Sequence, residues 1–192
     1  MSADGFHVHG PHDHEVEHAV QHNAKSNSTG VIAVTTAVLA TVGALFSYMG
    51  GATQANAGMY KNNAAIKKTE ASNQWNYYQA KSSKQNLAEL AVVLAPEDRR
   101  AGYKDEVARY KKEKAEVKLA AEKLEADATR WDQQSEDQMH LHHRWAQATT
   151  ALQITIALAA IALLTGRKWL EYGMYGVATL GVLLGVAAAL HV

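Results

Sequence analysis

The sequence predicts an all-α membrane protein: three transmembrane helices, with a long antiparallel coiled-coil hairpin between the first and the second. Three observations carry this. Three apolar runs, at 31–50, 146–166 and 169–192, each approach or exceed the roughly 20 residues that a helix needs to cross a bilayer core. The segment between the first two, Gly51 to Arg144, holds sixteen of the nineteen Lys and Arg and fourteen of the nineteen Asp and Glu, so it belongs in water. That segment also repeats large residues every seven positions, as helices that wind about one another do.

Composition supports the helical reading. Ala is abundant and Pro occurs only twice. The net formal charge is zero, which gives no reason to expect a nucleic-acid partner. There is no cysteine, which excludes disulfides, thiolate metal sites and a cysteine nucleophile.

Residues 1–30 read as a polar tail. His7, His9, His12, His14, His18 and His22 are interleaved with Asp13, Glu15 and Glu17. Imidazoles beside carboxylates suit a divalent transition metal, zinc, nickel or copper. A flexible hydrophilic tail accounts for the same residues, since no fixed ligand spacing is present.

The first apolar run, Val31 to Met49, is about 28 Å long as a helix. It lies too far into the chain, behind an acidic leader, for a signal peptide, and an uncleaved anchor is expected. Thr35, Thr36, Thr41 and Ser47 are tolerated there because a hydroxyl can bond back to a helix carbonyl. Trp145 stands at the entrance to the second run, and Gln153 is that run's one strongly polar interior residue. Arg167-Lys168 makes a short turn into the third run, so these two helices should be antiparallel neighbours. Gly181 and Gly185 give a GxxxG spacing, which suggests close approach to another helix and self-association.

In the charged segment, Ala95-Pro96-Glu97-Asp98 reads as a turn. Proline suits the first turn of a new helix, and acids complement the positive end of its dipole. The arm after the turn repeats Tyr103, Tyr110, Val117, Leu124 and Trp131, with Val107, Lys114, Ala121, Ala128 and Ser135 as companions. The arm before it repeats Met59, Ile66, Asn73, Ala80, Leu87 and Leu94. Small companions indicate a close, imperfect pairing. A hairpin of this kind buries little apolar surface alone and is expected to pack against copies of itself or a partner. Trp75, Tyr77 and Tyr78 form the densest aromatic group outside the apolar runs, either a recognition surface or seam packing with Asn73 and Asn76 setting register.

The stretch Asn73-Gln74-Trp75-Asn76-Tyr77-Tyr78-Gln79-Ala80-Lys81-Ser82 resembles a segment of a membrane family known as domain of unknown function 4337. Leu163-Leu164-Thr165-Gly166-Arg167-Lys168-Trp169-Leu170 resembles that family's junction between its second and third spans. The likeness extends over about residues 30–190. It implies a small protein of the bacterial inner membrane with three spans and a coiled hairpin, and it brings no catalytic residues.

Orientation follows from basic residues. Lys25, Arg167 and Lys168 flank the spans on one side, against Lys61, Lys67, Lys68, Arg130 and Arg144 on the other. Long segments cross largely regardless of charge, whereas a short basic loop is retained. A cytoplasmic tail and a periplasmic hairpin are therefore expected.

The run interiors carry no charge, against a pump or transporter. No phosphate-binding loop, nucleophile elbow or dinucleotide glycine pattern is present. His140 and His143 are one helical turn apart, near enough to share a metal, but interface histidines more commonly bond headgroups or water. The sequence thus points to a non-enzymatic oligomeric scaffold without a cofactor. Its expected partners are the bilayer, further copies and a larger membrane complex. The alternatives are a metal-binding accessory protein using the histidine tail and a small oligomeric channel lined by Thr35, Thr41 and Gln153.

Overall fold

The first long helix ends just before Pro96 and the second just before Gly166. The computed structural model describes residues 27–191, and every regular element among them is helical: α1 (Asn27–Leu94), α2 (Glu97–Thr165) and α3 (Lys168–Ala189). α1 begins a turn before the first apolar run and continues past it without a break into the charged segment.

The α1–α2 turn is closed by its own backbone. Ala95 N–H donates to the Ala91 carbonyl at 2.9 Å, and Arg99 N–H donates to that of Pro96 at 3.0 Å. The Arg100 guanidinium donates to the Ala95 carbonyl at 3.0 Å, satisfying one of the acceptors that a helix end leaves open. Pro96 stands one position before the helix, and Glu97 and Asp98 occupy its first turn. The α2–α3 turn uses Gly166 at φ +63°, a left-handed conformation that costs glycine little.

The described residues form two compact units, one of residues 27–55 and 138–191, the other Asn56–Asp137. The first contains the largest fully buried side chains, Leu152, Met174 and Thr155. Its core has two clusters: Ile32, Ala159, Leu163 and Met174; and Leu39, Leu152 and Ala178 with Val42, Phe46 and Val182 against them. Thr36 and Thr41 bond back to the Ile32 and Ala37 carbonyls, as expected of hydroxyls in an apolar run. Each of the three helices contains a window long and apolar enough to cross a membrane. Large apolar residues face outward on all three, among them Val34, Leu45, Ile154, Leu164, Tyr172 and Leu183.

The GxxxG expectation is corrected here. Gly181 and Gly185 are buried within the chain. A Cβ at Gly181 would lie 2.9 Å from the Leu152 side chain, and one at Gly185 would lie 2.2 Å from the Phe46 ring. The close approach is made to α1 and α2 of the same chain, so neither glycine is free to associate with a second copy.

The second unit is an antiparallel pair of helical arms. Its buried positions on α1 are Ala57, Ala64, Ala71, Gln85 and Ala88, and on α2 Ala121, Ala128 and Ser135. Seven-residue spacing of Ala on both arms keeps small side chains facing each other, so the helices approach closely.

Candidate functional site

The arm is where chemistry-bearing side chains converge, and its seam positions them. In the expected α2 repeat, Tyr103, Tyr110, Val117, Leu124 and Trp131 are all half-buried. Trp131 stacks against Tyr60 with ring centroids 5.5 Å apart, and Tyr110 lies 5.7 Å from the Lys81 ammonium. Trp131 and Tyr110 thus meet α1 of the same chain.

The expected α1 repeat is corrected. Met59, Ile66, Leu87 and Leu94 are between 47% and 73% exposed, on the outer face. The inner row lies two residues earlier, at Ala57, Ala64, Ala71, Tyr78 and Gln85, and its three alanines let the helices approach closely. Asn73 and Asn76 are exposed and set no register. The amide inside the seam is Gln85, which donates to Glu89 at 2.8 Å. Ser135 donates across the seam to the Ala57 carbonyl at 2.8 Å.

Two polar clusters flank the seam. On one side, Lys81 donates to Glu113, with its ammonium 5.0 Å from the Tyr77 ring. The hydrogen bond from Lys81 holds the Glu113 carboxyl below its ordinary range, and the same bond, with a further contribution from Tyr77, raises Lys81 above its own. On the other side, Trp75 donates its indole N–H to Glu125 at 2.8 Å and meets Tyr78 edge-on at 5.5 Å. Lys114 lies 5.2 Å from the Tyr78 ring. The aromatic group therefore divides: Trp75 and Tyr78 go to one flank and Tyr77, half exposed, to the other.

Beside Trp75 runs an open groove of about 800 Å³, floored by Ala64, Ala71 and Ala128, with Lys61 and Lys68 on one wall and Glu125 and Asp132 on the other. Lys61 pairs with Asp132 across it, and that bond raises the Lys61 pKa. A smaller hollow of about 370 Å³ lies at the turn, between Leu87, Leu90 and Leu94 on α1 and Arg99 and Tyr103 on α2.

A family model described as domain of unknown function (DUF4337) matches residues 28–191. The chain belongs to that family. No curated protein and no solved structure matches it. The family's description assigns no reaction or ligand, so the residues themselves must supply the functional reading. The resemblance noted at Asn73–Ser82 and Leu163–Leu170 lies within the matched range.

The remaining candidates are placed as follows. The six histidines of the tail lie outside the described residues. Among the described residues, no three His, Asp or Glu stand together as metal ligands. His142 Nδ1 lies 2.8 Å from the Gly50 carbonyl, a contact made by a protonated Nδ1, while His140 and His143 are exposed. Thr41 and Gln153 are exposed and Thr35 is half-buried. Sequence reasoning missed the groove walls. Their signal was available as Lys61 and Lys68, seven apart, and Glu125 and Asp132, also seven apart, on arms that run antiparallel.

Proposed function

We propose that this chain is a non-enzymatic scaffold of the bacterial cytoplasmic membrane. Its three apolar segments cross the bilayer, and its charged arm is a coiled coil that assembles with further copies or with a larger membrane complex. The short Arg167-Lys168 turn favours a cytoplasmic tail and a periplasmic arm.

What the arm buries carries this reading. Its buried residues are Ala, one Gln and one Ser, whereas the largest fully buried side chains, Leu152, Met174 and Thr155, all belong to the other unit. Fully burying a large apolar side chain contributes about 1.5–3 kcal/mol, and the arm gains that from none of its own. Meanwhile Leu87, Leu90, Val93 and Leu94 are 54–73% exposed. From Leu87 to Ala95 only Glu89 is polar, so this stretch of helix is apolar on nearly every side. A helix of that kind is covered in its working state.

The test is purification of the tagged chain from native membranes in mild detergent, followed by light scattering. Further copies or a co-purifying membrane complex are expected, and replacing Leu87, Leu90 and Leu94 with Ser should weaken the association. A strictly monomeric particle without a partner would count against the proposal.

A further inference from the structure

The two walls of the groove beside Trp75 carry opposite charge at matched levels. Lys61 is level with Asp132, as their ion pair shows. Lys68 and Glu125 lie seven residues on along each arm, and because the arms are antiparallel these two are level as well. Nearer the turn the signs reverse, with Glu89 on α1 facing Lys111 on α2 at 3.7 Å.

We infer that this groove seats a second copy of the chain, related by a two-fold axis parallel to the arm. Rotation about such an axis keeps every residue at its own level and exchanges the two walls. Lys61 and Lys68 of one copy then face Asp132 and Glu125 of the other. Glu89 comes level with Lys104, seven residues from the Lys111 it pairs with in its own chain, and Trp75 comes level with Lys118, close enough for its ring to receive a cation. No like charges meet. The pairs Lys61–Asp132 and Lys111–Glu89 are 43–64% exposed within one chain, so they can exchange partners without leaving a buried charge unpaired. The floor of Ala64, Ala71 and Ala128 offers no bulk to hold the copies apart. From Lys61 to Gln79 the groove runs about 27 Å, five turns of helix, and the four arms together make a four-helix bundle.

The charges alone also suit an antiparallel pair. Anchorage decides between the two, because spans that follow directly from both ends of the arm set two copies in one membrane parallel. The inference therefore rests on the membrane-scaffold reading above.

The absence of cysteine makes crosslinking a clean test. Ala65→Cys and Thr129→Cys, expressed on differently tagged full-length copies in one membrane, should give a mixed disulfide dimer. Lys61→Glu with Lys68→Glu should weaken the dimer by at least roughly tenfold, and adding Glu125→Lys with Asp132→Lys should restore it. A mixed dimer of Ala65→Cys with Asn86→Cys in place of Thr129→Cys would overturn the parallel arrangement. Multimers that persist with no crosslink on this face would overturn the groove while leaving assembly intact. A single subunit held in a larger complex would overturn the groove alone, and a chain that is monomeric and without a partner before any substitution would overturn the scaffold reading and the groove together.

Discussion

The Ser135 hydroxyl donates to the Ala57 carbonyl at 2.8 Å, although 78 residues separate the two in sequence. A side chain as short as serine reaches the backbone of the opposite helix only where the two helices lie close. Ala57 is 1% and Ala121 0% exposed, so the seam is set by small residues at seven-residue intervals.

It follows that bulk in the seam is costly. Ala121→Leu should destabilise the chain by about 1–3 kcal/mol, because a close-packed contact relaxes little around added methylenes. Ser135→Ala should cost about 0.5–1.5 kcal/mol, the usual net value of one hydrogen bond. Thermal unfolding followed by circular dichroism measures both. An Ala121→Leu chain as stable as the parent would mean that the arms do not meet at this position.

Gly185 tests the corrected role of the glycine pair. A Cβ there falls 2.2 Å from the Phe46 ring, so Gly185→Ala forces the ring to swing away. The expected cost is about 1–3 kcal/mol, partly relieved by Phe46→Leu, with the number of copies unchanged. Loss of assembly with unchanged thermal stability would return the glycines to a contact between copies.

The Lys81–Glu113 pair sets a pH window. Its hydrogen bond lowers the Glu113 pKa from 4.5, so that the carboxylate's contribution is full above 4.5 and is lost as pH falls through the lowered value. The same bond raises Lys81 from 10.5, so its contribution is full below 10.5 and is lost as pH rises through the raised value. Between those limits the pair is intact. A carboxyl-carbon NMR titration should place Glu113 below its ordinary midpoint, and Lys81→Met should move it upward. An unmoved midpoint would show that Lys81 is not its partner in solution.

Assembly runs through the arm in this account, so it does not call on metal. Chelator treatment, and deletion of residues 1–26, should leave the number of copies unchanged when measured by light scattering. Dissociation on either treatment would tie assembly to the histidine tail.

The sequence made the broad arrangement legible because its strongest signals are local. Pro96 and Arg167-Lys168 mark both turns, and the apolar runs mark the three helical windows. The register of α1 was not legible in the same way. Met59, Ile66, Leu87 and Leu94 make the more visible repeat, yet they point outward, while the inner row is largely alanine, a residue that single-sequence reasoning treats as neutral filler. Large residues report what is available for burial, and small ones report where helices already touch. Which row faces inward depends on the helix opposite, so the choice became visible only with both arms in place. The groove shares this property, because its charge pattern exists only when Lys61 and Asp132, 71 residues apart, are set level.

Native mass spectrometry of the full-length chain in mild detergent tests the central claim most directly. The account predicts particles at multiples of the 20.9 kDa subunit, or one subunit held in a larger complex. A single 20.9 kDa species with no partner, at every concentration and in every detergent tried, would contradict it.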